Sequence, residues 1–371
     1  MVSAIPLQKL NRFLFFSVLL VAILYFAKQV LIPIAFAAFF AMLFTGLSNR
    51  MENHRVPRIL SAIISLLILI GTAFVIGLLV YMQGKKLAED FPVIEKKSEK
   101  FFKQAETYVS QKLNIAPAKQ DSLIQKQVKS ASGSAGNVVK SVVGSVSQTI
   151  GSAVLVVIFT FLFLYQREKY ETFFVSLCKQ TPPDEAKVLI HNISKVAQSY
   201  LTGRALSVLI FTVLFTAGFL IIGLKNAFLL AFIAALLTIV PYIGSIVGGL
   251  FPFAVALVTE DDTGIALGAL AVIVIIQGID NYFIEPYIIG GEVNISGFFT
   301  ILILLVGGLI WGIAGVVLFL PMLGVAKIIF DAVPELHAYG YLIGDQAQEK
   351  QSERLLKKIK SLFGKKKESG Q

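Results

Sequence analysis

The sequence predicts an all-α polytopic membrane protein with about eight transmembrane helices and broken or re-entrant helical hairpins in its C-terminal half. Three observations carry this expectation. The 371 residues are 56% hydrophobic and 15% charged, with a mean hydropathy of +0.77, whereas soluble domains are about 45–50% apolar and about 25% charged. The apolar residues are gathered into charge-free runs at 13–27, 29–49, 59–84, 141–166, 205–224, 226–259, 263–279 and 293–326. Runs of about 20 residues are what a helix needs to cross a hydrocarbon core of about 30 Å. Two of the runs, 226–259 and 293–326, hold 34 residues each. As a straight helix each would be about 51 Å long, too long for one crossing and too short for two with a turn.

Composition excludes several readings. A single cysteine, Cys178, forms no intrachain disulfide and no thiolate metal site. The three histidines, His54, His191 and His337, fall outside the apolar runs. No HExxH, Walker loop or nucleophile elbow is present, so neither an enzyme nor a cofactor or metal site is expected. One aspartate near an intramembrane helix face argues against a paired-aspartate protease. The net charge of +10 is read as an orientation signal and a basic tail, and gives no support to nucleic-acid binding.

The elements follow in order. Lys9 and Arg12 precede the first run; no small-residue cleavage site follows, so a retained helix is expected rather than a signal peptide. Arg50, Arg55 and Arg58 against Glu52 place the loop after the second run in the cytoplasm. The third run exits to a long lysine-bearing segment, which translocates regardless of its charge. There Leu87, Phe91, Ile94, Phe101, Ala105, Tyr108 and Leu113 recur at helical spacing, with a kink or restart expected at Asp90-Phe91-Pro92. The fourth run re-enters, and Arg167, Lys169, Lys179, Lys187, Lys195 and Arg204 mark a cytoplasmic stretch. Pro182-Pro183-Asp184-Glu185 reads there as a turn opening a helix.

The fifth run leads outward to the first 34-residue run. Pro241-Tyr242-Ile243-Gly244 and Gly248-Gly249 interrupt that run at its middle. It returns outside at Glu260-Asp261-Asp262, and 263–279 crosses inward. The second 34-residue run opens from the cytoplasm; its expected breakers are Gly307, Gly308, Gly312 and Gly315, with Pro321 beyond them. Both termini then lie in the cytoplasm, and Arg354–Lys367, which falls outside the residues described below, carries a basic amphipathic pattern suited to anionic lipid or is a solvated tail. The expected organisation is helices 1–3 in 1–82, an extracytoplasmic segment in 83–147, helix 4 in 148–166, a cytoplasmic segment in 167–204, a transport core in 205–333 and a tail in 334–371. A helix plus hairpin occurs twice, in opposite orientation, and an aromatic stands ten residues before a proline in both: Tyr242 to Pro252, Trp311 to Pro321. Inverted repeats with broken helices are a transporter device.

Polar groups inside the membrane regions are rare and informative. Gln277, Asp280 and Asn281 lie at i, i+3 and i+4 on one helix face, and Glu285 precedes Pro286, which is expected to end or bend the helix. Such a face offers donors, acceptors and a carboxylate to a polar solute or ion; alternatively Asp280 marks a helix end at the interface. Tyr200, Gly203, Arg204 and Ser207 share another face. Arg204 could pair with Asp280 or Glu285, or serve as a plain cytoplasmic anchor. The Pro241-Tyr242-Ile243-Gly244 break frees backbone groups for solute or ion, or is a simple kink.

At these residues the chain resembles the autoinducer-2 exporter (AI-2E) family of bacterial membrane proteins, also described as predicted permeases. The matching features are Ser199-Tyr200-Leu201-Thr202-Gly203-Arg204, Ile239-Val240-Pro241-Tyr242-Ile243-Gly244, and Gln277 through Pro286 with Gly290, followed by Gly307-Gly308, Gly312, Gly315 and Pro321. One departure is Thr202 with Arg204, where the family often shows Arg-Gly-Gln. The resemblance implies a multipass transporter of the bacterial cytoplasmic membrane that exports a small polar solute such as autoinducer-2, a hydroxylated furanone. Relatives described as sodium(lithium)/proton antiporters supply an alternative. It also implies a homo-oligomer, with a pentamer as the candidate number. A non-transporting membrane organiser acting through the soluble segments is the competing class.

Overall fold

The computed structural model describes residues 7–113, 151–178, 182–240, 243–260, 262–289 and 294–345, and every regular element among them is helical. The α-helices are α1 (Leu7–Phe26), α2 (Lys28–Asn53), α3 (Arg58–Leu113), α4 (Gly151–Tyr165), α5 (Arg167–Leu177), α6 (Pro183–Ile221), α7 (Ala227–Leu237), α8 (Ile243–Thr259), α9 (Thr263–Ile279), α10 (Gly297–Trp311), α11 (Ile313–Ala332) and α12 (His337–Ile343). A π-helical segment, Asp280–Ile289, continues α9.

Each charge-free run is largely helical where described, and each 34-residue run is split into two helices, α7–α8 and α10–α11. Among the described residues five helices are long and apolar enough to cross a bilayer, and a sixth is added if α4 and α5 form one span across their 72° bend. Shorter apolar helices, Leu14–Phe26 and three of the hairpin arms, accompany them.

Pro92 and Pro286 are both accommodated within helical segments. Helix α3 runs unbroken through Pro92 to Leu113, so no restart occurs at Asp90-Phe91-Pro92. A proline removes one hydrogen bond, and here it is flanked by Lys, Glu, Ala and Gln, which favour helix strongly. At Pro286 the chain does not end its helix; the residue lies inside the π-helical segment. The wider i→i+5 turn gives room for a proline ring that would clash with the i−4 carbonyl of an α-helix.

The chain forms two compact units. One comprises Met1–Ile63, Leu155–Arg204 and Glu285–Gln371, the other Ile64–Val154 and Ala205–Ile284.

In the first unit the α10–α11 hairpin is the centre. The helices turn at Gly312, whose φ of +62° and ψ of −137° suit glycine and few other residues. Below the turn the two backbones touch at Gly307 and Gly315: a Cβ on Gly315 would stand 1.9 Å from the Gly307 carbonyl oxygen. Trp311 packs edge-on against Phe319, with ring centroids 5.1 Å apart, in a core shared with Phe39, Ala197, Ile310 and Leu318. Its indole Nε1 donates to the Leu24 carbonyl at 2.9 Å. That carbonyl belongs to the last turn of α1, where intrahelical partners run out, three residues before α1 gives way to α2 at Ala27. The hairpin tip thus reaches the level of the α1–α2 turn, and α11, with 20 residues, is about 30 Å long.

In the second unit α8 and α9 are an antiparallel pair of 17 residues each. Their connection is fixed by Asp262, whose carboxylate accepts from the Gly264 amide at 2.7 Å and caps α9. Beside it the buried Glu260 carboxylate accepts from the Lys225 amide and pairs with the Lys225 ammonium at 3.4 Å. Lys97, on α3, donates to the Thr259 carbonyl at 2.6 Å, a cation on the negative end of α8. Helix α7 is buried along most of its length, including Leu229, Leu230, Ala231, Ala234 and Ala235. It stops after eleven residues, where β-branched Thr238, Ile239 and Val240 precede Pro241. Thr238 Oγ1 closes the end by donating back to the Ala235 carbonyl at 2.6 Å.

Candidate functional site

The polar triplet foreseen from helical spacing does converge. Gln277 Nε2 lies 3.4 Å from Asp280 Oδ2 and 3.5 Å from Asn281 Oδ1. Both distances are at the long edge for a hydrogen bond, so the amide is only loosely engaged. Asp280 is the C-cap of α9 and the first residue of the π-helical segment, an irregularity frequent at functional sites. Asp280 is half-buried, and Asn281, Tyr282 and Phe283 are exposed.

The α8–α9 pairing brings the first hairpin's break to the same end. A Cβ on Gly249 would meet Ile273 Cγ2 at 2.8 Å, and the two residues are each ten positions from the connected ends of their helices. With equal helix lengths, Ile243 at the far end of α8 comes level with Ile279, and the break level with Gln277 and Asp280. At the break, a Cβ on Gly244 would stand 1.8 Å from the Leu237 carbonyl oxygen, so α8 begins directly on the end of α7. Pro241 and Tyr242 lie outside the described residues. This end of the second unit therefore combines a carboxylate, two carboxamides and the termini of three helices, a polar set able to bind either a hydroxylated solute or a cation.

Tyr200 and Arg204 belong to the first unit. Tyr200 is buried with Ile295, Leu304, Leu320 and Ile343, and the Arg204 guanidinium lies 5.8 Å from the centre of its ring, within cation–π range. Glu285 and Pro286 lie in the π-helical segment, and their side chains are outside the described set. Of the five residues expected to break the second hairpin, Gly312 alone sits at the break. Gly307 and Gly308 lie inside α10, Gly315 and Pro321 inside α11. The physical reason is that Gly307 and Gly315 serve close approach, which in sequence has the same signature as a breaker. Among the described residues no group of three or more His, Cys, Asp or Glu side chains converges as a metal cage would.

Sequence reading missed one polar cluster. In the first unit Glu52, at the end of α2, receives both Nη1 and Nη2 of Arg167, the first residue of α5. Fully buried Ser61 donates to the same carboxylate at 2.8 Å, fully buried Ser48 at 3.2 Å, and the two hydroxyls lie 2.8 Å apart. Arg58 pairs with Glu168 at 3.2 Å. A bidentate guanidinium with buried hydroxyl support is a strong clasp, and it fixes the α4–α5 elbow to the α2–α3 turn. Arg167→Ala leaves Glu52 without its counter-charge and is expected to destabilise the protein by about 2–3 kcal/mol. Adding Glu52→Ala should recover part of that loss, read as thermal unfolding midpoints in a double-mutant cycle. Additive losses would mean that the pair contributes nothing.

An all-helical chain with several bilayer-length helices, two broken hairpins and a small polar set at a helix end is a multipass membrane protein with the parts of a transporter. The chain belongs to the AI-2E transporter family: the family described as AI-2E family transporter matches residues 14–335. It is 25% identical over 321 residues to "Putative transport protein YueF" of Bacillus subtilis (strain 168), covering 82% of this chain and 86% of that protein. "Putative transport protein YrrI" of the same organism is 22% identical over 318 residues, covering 81% and 86%. A Haemophilus influenzae protein, "Putative transport protein", is 24% identical over 327 residues, covering 86% and 91%.

Proposed function

We propose that the protein is a secondary transporter of the bacterial cytoplasmic membrane that exports a small polar, hydroxylated solute of the autoinducer-2 type. The observation that carries the reading is the clustering of Gln277, Asp280 and Asn281 at the same end of the second unit as the α7–α8 break. A carboxylate accepts from two hydroxyls and a carboxamide both donates and accepts, which suits a compact polyol-like molecule. Discontinuous helix ends add fixed partial charges there. The second hairpin takes the gating role, and both termini face the cytoplasm. Supporting this orientation, residues assigned to one side of the membrane meet each other. Glu52 meets Arg167, both expected on the cytoplasmic side, and Lys97 meets Thr259, both expected on the outer side.

Asp280 with the Asn281 carbonyl oxygen also makes a set of oxygen ligands for a cation, which keeps sodium/proton exchange as the second reading. Purified protein in proteoliposomes separates the two. The proposal expects flux of labelled autoinducer-2 above that of empty liposomes, with sodium-driven proton movement at background. Sodium exchange without autoinducer-2 flux would replace the first reading by the second, and neither flux would favour a membrane organiser.

A further inference from the structure

The face that α8 turns toward α9 carries a polar side chain not yet accounted for. A Cβ on Gly249 would meet Ile273 Cγ2 at 2.8 Å, so these two positions face each other across the pair. Toward the α8–α9 connection the facing rows continue as Pro252 and Ala256 on α8, and as Ala269 and Ala266 on α9, all buried. Each step is three or four residues, about one helical turn, and the rows run in opposite directions. Toward the other end, one turn beyond Gly249 is Ser245, and one turn beyond Ile273 is Gln277. The register therefore sets Ser245, the third residue of α8, opposite Gln277. The neighbouring face of α8 is taken by α7: a Cβ on Gly244 or Gly248 would stand 1.8 Å or 2.7 Å from the carbonyl oxygens of Leu237 and Ala234. Ile246 and Val247 lie on the side away from both neighbours and are exposed, whereas Ser245 is half-buried.

We infer that Ser245 is a specificity-determining residue of the solute site, supplying from α8 a hydroxyl that acts with the Gln277 carboxamide and the Asp280 carboxylate of α9 on neighbouring hydroxyls of the solute. The inference rests on the reading of this end of the second unit as the solute site, and it adds the second wall of that site. The chemistry of the two walls is complementary. A carboxylate only accepts, a carboxamide has separate donor and acceptor ends, and a serine hydroxyl rotates to donate or accept as its partner requires. A solute held between them is read from two helices at once. One that lacks the hydroxyl facing Ser245 gives up a hydrogen bond there, which is how polar sites discriminate solutes differing by a single hydroxyl. A serine in the first turn of a helix also serves the local backbone, but that role is indifferent to the solute.

Placement and recognition are tested separately, on the full chain. Cys178 is the single cysteine, so a Cys178→Ser background carries only the introduced thiols. There Ser245→Cys with Gln277→Cys should form a disulfide under copper–phenanthroline, whereas Ile246→Cys with Gln277→Cys should not. Pairing in neither, or equally in both, would overturn the placement. In proteoliposomes the probes are labelled autoinducer-2 and analogues that each lack one of its hydroxyls. Ser245→Ala should raise KM for autoinducer-2 about threefold to tenfold, as loss of one neutral hydrogen bond does. It should leave KM unchanged for one analogue, because that solute no longer carries the hydroxyl that the serine meets. Ser245→Thr keeps the hydroxyl and should stay within about twofold of the starting protein. An unchanged KM in Ser245→Ala, with autoinducer-2 flux present, would sink this inference and leave the transport reading standing. A rise equal for every analogue would replace it by a purely local backbone role. Absence of autoinducer-2 flux in the unsubstituted protein would remove the transport reading, and this inference with it.

Discussion

Asp280→Asn is expected to lower solute flux in proteoliposomes by at least about tenfold while leaving the protein folded. The two halves of that expectation come from the same geometry. Asp280 is half-buried at the end of α9, where its carboxylate meets the Gln277 amide at 3.4 Å. An asparagine side chain has the same shape and keeps an acceptor oxygen for that amide, so the stability cost should stay below about 1 kcal/mol. The lost charge is different. A hydrogen bond from a solute hydroxyl to a carboxylate is worth about 1.5–3 kcal/mol, and each 1.4 kcal/mol is a factor of about ten in binding. Gln277→Ala removes a loosely held group and should cost less, about threefold to tenfold. If the carboxylate carries a coupling proton, Asp280→Asn also flattens the dependence of rate on pH. Unchanged flux and unchanged pH profile in Asp280→Asn would remove Asp280 from the mechanism.

Gly315→Ala is expected to be one of the most damaging single methyls among the described residues. The added Cβ would stand 1.9 Å from the Gly307 carbonyl oxygen and 2.5 Å from its carbon. Both are backbone atoms that no side-chain rotation can move, so α10 and α11 must separate. The loss of contact then spreads to Trp311, Leu318 and Phe319, which share the core around that crossing. At least about 3 kcal/mol should be lost, seen as a large fall in the unfolding midpoint in detergent or as loss of monodisperse protein. Gly307→Ala, at 2.6 Å from the Gly315 carbonyl oxygen, should behave alike. Gly278→Ala is the control: its Cβ would meet nothing within 4 Å, and in a helix alanine is favoured over glycine by up to about 1 kcal/mol. If Gly315→Ala and Gly278→Ala unfold at the same temperature, the close crossing of α10 and α11 is wrong.

These two sites differ in how visible they were beforehand. Gln277, Asp280 and Asn281 were legible because polar residues are rare in apolar sequence and helical spacing alone places them together. The hairpins were legible from the length of their runs, since 34 residues fit neither one crossing nor two. Distinguishing Gly312, which turns the chain, from Gly307 and Gly315, which pack it, was out of reach. Spacing does not say which glycine lies opposite which. The Glu52–Arg167 clasp was hidden for another reason. Its partners are 115 residues apart, and each charge already had a sufficient local account as a cytoplasmic flank. The restart at Pro92 was over-read, because a proline's local cost was taken to decide the outcome where strong helix formers absorb it.

The Trp311–Leu24 hydrogen bond joins residues 287 positions apart in the chain. During synthesis the first helix therefore enters the membrane long before the indole that satisfies its terminal carbonyl has been made. The compact unit holding both residues is assembled from three separated stretches of the sequence, so it closes only after residues beyond Glu285 have been made. Until then α1 has only its own hydrophobicity and its packing on α2, and its docking on α10 is a late, long-range step of the slow kind that high contact order brings. Chains released early, before α10 is made, should present α1 to membrane quality control as an undocked helix, even though every residue of α1 is present and correctly inserted.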